Sequence, residues 1–192
     1  MKRIAFLVSG SGTNMENMIK RIQAGEVPAV PAIVISNKPG AKALEKAGAL
    51  GVKTVVIDHK AYADRAAFDK ALDTCLETHK IELVVLAGFM RVLTERFVKK
   101  YYGRLINIHP ALLPAFPGAH AIKDAWDAKV KETGVTVHFV DSGVDTGPVI
   151  LQHKVLVLAN DTLETLEARI HKIEYEIYPQ ALKLVLLGGL QT

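Results

Sequence analysis

Short apolar segments alternate along the chain with segments of helical periodicity. The apolar runs cover 4–8, 29–35, 52–57, 83–87 and 105–108, and the helical segments between them cover 14–24, 41–49, 62–79 and 94–100. Continuous apolar strands separated by helices are typical of parallel strands that are covered on both faces. The pattern therefore predicts an α/β fold, with a mostly parallel twisted sheet and helices on both faces.

The pattern changes after the fifth predicted strand. Two further apolar segments, 134–140 and 149–158, have a loop and no helix between them, which favours an antiparallel C-terminal extension of the sheet. A last helix is predicted to begin near Asp161, whose spacing to Glu164 is that of a capping box. Pro179 should kink or interrupt that helix because proline removes a backbone N–H.

Length and composition indicate one domain over residues 1–192. Hydrophobic residues make up 49% of the chain and charged residues 23%, which excludes intrinsic disorder. The single cysteine, Cys75, excludes an internal disulfide framework and points to a reducing compartment, so we expect a cytoplasmic protein. Apolar runs are too short for a membrane helix, which needs about 18 residues, so no membrane partner is expected.

The distribution of charge and the spacing of the histidines limit the classes of ligand that the chain is expected to bind. The net charge of +4 is spread along the chain without a nucleic-acid recognition motif, so we expect an anionic metabolite rather than a nucleic acid. The seven histidines form neither H-x-x-x-H nor H-E-x-x-H, so no metal site is predicted. The chain also lacks the G-x-S-x-G elbow of serine hydrolases.

A glycine turn follows the first predicted strand. The segment Ser9-Gly-Ser-Gly-Thr-Asn14 leads directly into a helix, which is the layout of a phosphate site. Met15 stands where the dinucleotide fingerprint needs a third glycine, and no P-loop lysine follows, so a phosphate monoester fits better. Thr13 and Glu16 have capping-box spacing, which predicts a helix start at Thr13. A simple tight turn into a helix remains the alternative.

A polar cluster ends the fifth predicted strand. In Asn107-Ile-His-Pro110, alternation places Asn107 and His109 on one face and Ile108 on the other, toward the core. The carboxyl ends of strands face the ligand crevice in open α/β sheets. An amide and an imidazole there can both donate to an oxygen that becomes an oxyanion; alternatively, both satisfy loop carbonyls.

An acidic turn, Asp141-Ser-Gly-Val-Asp145-Thr-Gly-Pro148, joins the last two strands. An aspartate beside a histidine can move a proton and stabilise the charged ring. Aspartate and glycine are also the usual residues of turns. The residues alone leave both interpretations open.

These segments together resemble the phosphoribosylglycinamide formyltransferase family, the folate-dependent enzymes of purine synthesis. The resemblance covers nearly the whole chain and keeps the order of motifs. It is carried by Ser9 to Asn14, Leu86-Ala-Gly-Phe-Met-Arg-Val-Leu93, Asn107-Ile-His-Pro-Ala-Leu-Leu-Pro114, Gly134-Val-Thr-Val-His-Phe-Val140 and Asp141 to Pro148. It implies a Rossmann-like formyltransferase domain with 10-formyltetrahydrofolate as co-substrate, without a metal, and as a monomer or homodimer.

The resemblance also implies roles for individual residues. Catalysis would fall to Asn107, His109 and Asp145. The folate would be bound by Arg65, Met90, Arg91, Val92, Leu93, Asn107, Asp141, Ser142, Gly143, Val144 and Asp145. The glycinamide ribonucleotide would be bound by Gly12, Thr13, Asn14, His171, Lys172, Ile173 and Glu174. The chain departs from the family pattern at Ala111, where many relatives have serine, and at His171, where a relative has glutamine.

The implied reaction is direct attack of the substrate amine on the formyl carbon. Asn107 and His109 would stabilise the oxyanion, and Asp145 would stabilise the charged His109 ring. Three alternatives stay open: a formyltransferase for another amine, a formyltetrahydrofolate hydrolase, and a non-catalytic folate- or nucleotide-binding module. The hydrolases carry an N-terminal regulatory domain, whereas the first predicted strand here begins at Ile4.

Overall fold

Seven strands form one sheet in the computed structural model, which describes residues 1–188. The strands are β1 (Lys2–Val8), β2 (Ala29–Ser36), β3 (Thr54–Val56), β4 (Leu83–Leu86), β5 (Leu105–His109), β6 (Glu132–Phe139) and β7 (Val149–Leu156). The helices are α1 (Thr13–Gln23), α2 (Lys42–Ala49), α3 (Arg65–Thr78), α4 (Glu95–Lys100), α5 (Ala121–Asp127) and α6 (Leu163–Leu186), and a 3₁₀ turn covers His59–Ala61. Residues 189–192 of the predicted domain lie outside the described part of the chain.

The strand order, β3-β2-β1-β4-β5-β6-β7, confirms the predicted architecture. Strands β1 to β5 pair in parallel, and β6 and β7 extend the sheet in antiparallel pairing. The chain first runs outward from β1 through β2 to β3 and then returns to place β4 on the other side of β1. The carboxyl ends of β1 and β4 therefore form the switch point at which open α/β sheets bind ligands.

Two hydrophobic cores flank the sheet, as the predicted helices on both faces require. One core joins alternate residues of β1, among them Phe6, to α1, α2 and α6. The other joins the remaining β1 residues, among them Leu7, to α3 and α4. No helix of residues 1–188 is long and apolar enough to cross a membrane.

The helix starts differ in detail from the predicted ones. α3 begins at Arg65 rather than at residue 62, because the Asp64 side chain accepts a hydrogen bond from the Ala67 N–H and caps the helix there. The cap of α6 is Thr162, one residue after Asp161, and it forms its capping box with Thr165. α5 has only seven residues, too few for its periodicity to stand out in the sequence.

The prediction that Pro179 interrupts α6 is wrong, while a kink at this position stays a prediction. The helix continues from Leu163 to Leu186 with the proline inside it. The missing N–H of a proline leaves the carbonyl four residues earlier without its helical donor, and here that is the carbonyl of Tyr175. The Asn17 side chain of α1 donates to that carbonyl oxygen at 2.8 Å. A neighbouring helix thus replaces the bond that the proline removes.

We predict that Asn17→Ala lowers the free energy of unfolding by about 1 kcal/mol, because the Tyr175 carbonyl loses its donor. Thermal denaturation should show a melting temperature about 2–4 °C lower. In a Pro179→Ala background the same substitution should cost less, since residue 179 regains an N–H that can bond Tyr175. An equal cost in both backgrounds would contradict this explanation.

Candidate active site

A cavity of about 520 Å³ lies at the carboxyl ends of β4 and β5. Its walls are the loop after β4, the end of β5 and the turn after β6. The lining comprises Leu86, 88–93, Val98, 107–110, Gly118, Ala119, His138 and 140–145. The loop after β4, the end of β5 and the acidic turn therefore share one cavity, whereas the glycine turn after β1 does not line it.

Asn107 and His109 of β5 line this cavity. Ile108 also borders it but packs in the core with residues of α6, as alternation predicted. His109 is 4% exposed. Its Nε2 lies 2.7 Å from the Phe116 carbonyl oxygen and its Nδ1 lies 3.4 Å from Asp145 Oδ2. An oxygen acceptor at each ring nitrogen suits a doubly protonated imidazole. His109 therefore contacts a loop carbonyl, as expected for a structural role, and also a carboxylate, as expected for a catalytic role.

Asp145 supplies a largely buried negative charge between two histidines. Its Oδ2 accepts the Gly118 N–H at 2.9 Å, and its Oδ1 lies 3.6 Å from His138 Nε2. The His138 ring, followed by the Gly118 N–H and the charge of His109, lowers the pKa of Asp145 to about 2, although burial acts in the opposite direction. The carboxylate is therefore ionised throughout the neutral range.

Sequence reasoning missed His138. It lies on β6 directly opposite Asn107 in the antiparallel register, is 2% exposed and donates from Nδ1 to the Phe139 carbonyl at 2.8 Å. Its Nε2 lies 3.5 Å from Asn107 Nδ2. A neutral ring accepts from the Asn107 amide at Nε2, whereas a charged ring donates toward Asp145. The sequence does contain a signal for His138. Thr136 and His138 alternate along the predicted strand 134–140, so both polar side chains are expected on one face of that strand.

Thr136 holds the start of the loop that follows β5. Its hydroxyl donates to the Ala111 carbonyl at 2.7 Å and accepts the Leu113 N–H at 3.1 Å. The Gln152 side chain of β7 also donates to it at 2.7 Å. Both antiparallel strands therefore anchor the loop whose Phe116 carbonyl and Gly118 N–H reach His109 and Asp145.

The cavity rim is apolar and exposed. Met90 is 66% exposed, Val92 61% and Val144 55%, and all three line the cavity. Exposed apolar side chains gathered at one cleft are typical of a ligand site. Leu93 forms a buried part of the wall.

The predicted arginines differ in their placement. Arg91 lines the cavity, and its guanidinium carbon lies 5.2 Å from the centre of the Phe68 ring. Arg65 is exposed at the start of α3 and does not line the cavity.

Ser9 fixes the loop that forms this wall. Its hydroxyl accepts the Met90 N–H at 2.8 Å and donates to Asn37 Oδ1 at 2.6 Å. Ser9 and Asn37 are both buried. The ends of β1, β2 and β4 are therefore joined through one hydroxyl group.

The two aspartates of the acidic turn have different roles: one stabilises the turn and the other contacts the histidines. Asp141 Oδ1 accepts the Gly143 N–H at 3.0 Å and the Thr146 hydroxyl at 2.7 Å, which is turn chemistry. Asp145 instead contacts the histidines. Ser142 and Gly143 line the cavity between them.

The glycine turn after β1 leads into α1 at Thr13, as predicted. The N-cap is Gly12 with a φ of 68°, and no described side chain caps the helix. A side chain at Gly12 would strike Ala43, since an added Cβ would lie 2.4 Å from that residue's Cβ. The capping box of Thr13 and Glu16 is wrong, because Thr13 is already helical and Lys20 and Lys46 bind the Glu16 carboxylate. The uncapped first turn is suited to an anion.

Three other predicted residues meet where α1 and α6 pack together. Asn14 Nδ2 donates to Glu174 Oε2 at 3.0 Å, and His171 Nδ1 lies 2.9 Å from the same oxygen. Glu174 is 4% exposed, and the buried Oδ1 of Asn14 has no partner within the described residues. A buried carboxylate beside an unsatisfied amide oxygen can accept hydrogen bonds from an amine.

The other two predicted residues on α6 lie apart from this cluster. Lys172 is exposed, and Ile173 packs against the core. Positions 171 and 174 share a helix face, whereas the positions between them do not.

The same face of α6 is held against the strand ends. One turn after Glu174, the buried Tyr178 hydroxyl lies 2.6 Å from the Leu86 carbonyl oxygen and 3.2 Å from that of Ile106. Leu86 also lines the cavity. The acceptors on α6 therefore stand beside the ends of β4 and β5. No described cluster of histidine, cysteine and carboxylate side chains could hold a metal ion.

Comparison with known proteins connects this site to one family. Residues 2–182 match the family model described as formyl transferase. The chain is 43% identical to phosphoribosylglycinamide formyltransferase of Bacillus subtilis, covering 97% of this chain and 95% of that protein. It is 47% identical to the trifunctional purine biosynthetic protein adenosine-3 of Gallus gallus, of which it spans 19%.

The fold of a solved relative agrees closely. Glycinamide ribonucleotide transformylase 1 from Symbiobacterium toebii superposes with a TM-score of 0.97 at 45% identity, covering 100% of this chain and 91% of that one.

The pairing of His171 with Glu174 predicts a pH-dependent contribution to stability. The hydrogen bond to Glu174 raises the pKa of His171 above its ordinary 6.5, against the effect of burial. The contribution is therefore complete below the unfolded pKa and lost as the pH rises through the higher folded one. Because the ring is half-exposed, we expect less than about 1 kcal/mol.

The test is urea unfolding of the wild type and His171→Gln at about pH 5.5 and pH 9. Glutamine keeps a neutral donor, so the variant should be less stable only at the lower pH. His153→Gln, at an exposed position on β7, is the matched control. A stability difference that is the same at both pH values would contradict the assignment.

Proposed function

Because the chain belongs to the formyl transferase family, we propose that it transfers the formyl group of 10-formyltetrahydrofolate to the amine of N1-(5-phosphoribosyl)glycinamide. The products are formylglycinamide ribonucleotide and tetrahydrofolate, a step of purine synthesis. The observation that carries the proposal is the meeting of Asn107, His109 and Asp145 in one cavity.

The cavity fits the proposed co-substrate. A flat ring system finds apolar contacts at Met90, Val92 and Val144, and backbone groups of 90–93 and 141–145 surround it with donors and acceptors. Arg91 provides a positive charge at the wall. When bound, the co-substrate supplies an activated formyl carbon, so no covalent enzyme intermediate is required.

Asn107 and His109 would stabilise the negative charge that develops on the formyl oxygen. Preorganised donors in a site shielded from water are effective for this task. The His109 Nε2–H now donates to the Phe116 carbonyl, so that donor must exchange the loop carbonyl for the substrate oxygen. Phe116 has a φ of 52°, a left-handed conformation that a bulky residue rarely adopts.

Asp145 would keep the His109 ring charged and oriented. Its carboxylate is ionised at neutral pH because its pKa is lowered to about 2, and it lies 3.4 Å from His109 Nδ1. The attacking amine loses a proton and N10 of the departing tetrahydrofolate gains one. The Asp145 carboxylate, directly or by way of water, would pass that proton between them while His109 stays charged.

The amine substrate would lie between the α1 turn and α6. The uncapped N–H groups at Gly12 to Asn14 would bind its phosphate. The Glu174 carboxylate and the unsatisfied Asn14 Oδ1 would accept hydrogen bonds from its nitrogen atoms. These acceptors favour an amine over water as the group that receives the formyl carbon.

The remaining expectations follow the same proposal. Both partners are small molecules, the protein acts in the cytoplasm without a metal ion, and it is a monomer or a homodimer.

The direct test is to mix the purified protein with 10-formyltetrahydrofolate and glycinamide ribonucleotide and follow loss of the formyl donor, with and without the amine. Amine-dependent transfer is expected. Donor loss without the amine would instead indicate a hydrolase, and absence of turnover in a folded sample would overturn the proposal.

We predict that Asn107→Ala, His109→Ala and Asp145→Ala each lower kcat at least about 10²–10³-fold, the usual cost of losing an oxyanion donor or its support. His153→Ala, a histidine exposed on β7, should turn over like the wild type. Circular dichroism would verify that each variant is folded. Wild-type turnover in any of the three variants would remove that residue from the mechanism.

A further inference from the structure

A second cavity, of about 520 Å³, lies at the carboxyl ends of β1, β2 and β3. Its lining comprises 9–11, 38–42 and 58–60. It borders the glycine turn on Ser9 to Ser11, whereas the proposed phosphate contacts lie further along the turn at Gly12 to Asn14. None of the residues assigned above to catalysis or to either substrate lines it.

This second cavity carries an excess of positive charge. Lys38, Lys42 and Lys60 line it, and Asp58 is its single carboxylate. No described carboxylate lies within 4.0 Å of any of the three ammonium groups. Asp58 Oδ1 instead accepts the Lys60 N–H at 3.0 Å and caps the 3₁₀ turn. The three lysines thus hold about two uncompensated positive charges.

A buried hydrogen-bond network holds one wall of the second cavity rigid. His59 Nδ1 lies 2.9 Å from the Asn37 carbonyl oxygen and 3.2 Å from its side-chain nitrogen. Asn37 is 1% exposed and accepts the Ser9 hydroxyl proton. The His59 ring is therefore fixed at Nδ1, while its Nε2 has no partner among the described residues.

The start of α2 also contributes to the positive potential of the second cavity. The Ala43 N–H of the first turn of α2 donates to the Gly10 carbonyl at 3.0 Å, so the start of α2 lies directly against the glycine turn. No described side chain caps α2, so its remaining free N–H groups add to the lysine charges, although the Gly10 carbonyl occupies the Ala43 N–H and Glu45 lies in the same turn. Lysines act as point charges toward phosphate.

We propose that this second cavity binds a phosphate-bearing anion. A phosphate monoester carries about −1.5 to −2 charges at pH 7, which matches the uncompensated charge of the three lysines. The volume accommodates a sugar phosphate as well as the phosphate group itself. The anion is either a separate metabolite or the phosphate of the amine substrate drawn across the glycine turn, and the second case rests on the function proposed above.

Calorimetric titration with ribose 5-phosphate at low salt tests the binding site without an activity assay. A Lys38→Gln/Lys42→Gln/Lys60→Gln variant should lose affinity for one class of site by about tenfold, because each exposed lysine contributes up to about 1 kcal/mol. The matched control is Lys2→Gln/Lys70→Gln/Lys131→Gln, three exposed lysines outside both cavities. Unphosphorylated ribose should not bind.

A second titration, in protein saturated with glycinamide ribonucleotide, distinguishes the two sources. If ribose 5-phosphate still binds and the triple cavity variant abolishes that binding, the ligand is a separate anion. If saturation blocks it and the variant raises KM for the amine substrate at unchanged kcat, the site takes the substrate's phosphate. Equal binding of ribose 5-phosphate by the wild type, the cavity variant and the control would overturn the proposal, whatever the outcome of the formyl-transfer assay.

Discussion

A buried carboxylate requires partners, and the partners of Asp145 come from three different segments of the cavity wall. His109 belongs to β5, His138 to β6 and Gly118 to the loop after β5. Burial alone would favour the neutral acid, yet these contacts lower the pKa of Asp145. Removing any one partner would leave part of that desolvation cost uncompensated. The position of each element therefore depends on the same charge.

The antiparallel addition to the sheet makes these contacts available. Because β6 runs against β5, the register sets His138 opposite Asn107 and Thr136 opposite His109. The side chains of Thr136 and His138 on β6 therefore lie next to the two β5 residues that line the cavity. Thr136 holds the loop and His138 contacts Asp145. A parallel neighbour would need a crossover helix in place of the short acidic turn that carries Asp145.

Local patterns in the sequence predicted the strands, a parallel sheet with an antiparallel extension, and the shared face of Asn107 and His109. What they missed depends on contacts between distant segments. The role of His138 follows from strand register, and the continuity of α6 through Pro179 depends on Asn17 of another helix. The division of labour between Asp141 and Asp145 appears only when the turn is folded, since both are acidic residues in a glycine-rich segment. The charged cavity unites Lys38 after β2, Lys42 at the start of α2 and Lys60 of the 3₁₀ turn, and none of these segments forms a basic cluster alone.

The hydroxyl of Ser9 gives the hydrogen bonds around it a single direction. A backbone N–H can only donate, so the bond from Met90 obliges Ser9 to accept there and to send its own proton to Asn37. That proton in turn determines which end of the Asn37 amide is oxygen, and the nitrogen end is left facing His59. A peptide group in the wall of one cavity thus sets the polarity of a buried amide that supports His59 in the wall of the other.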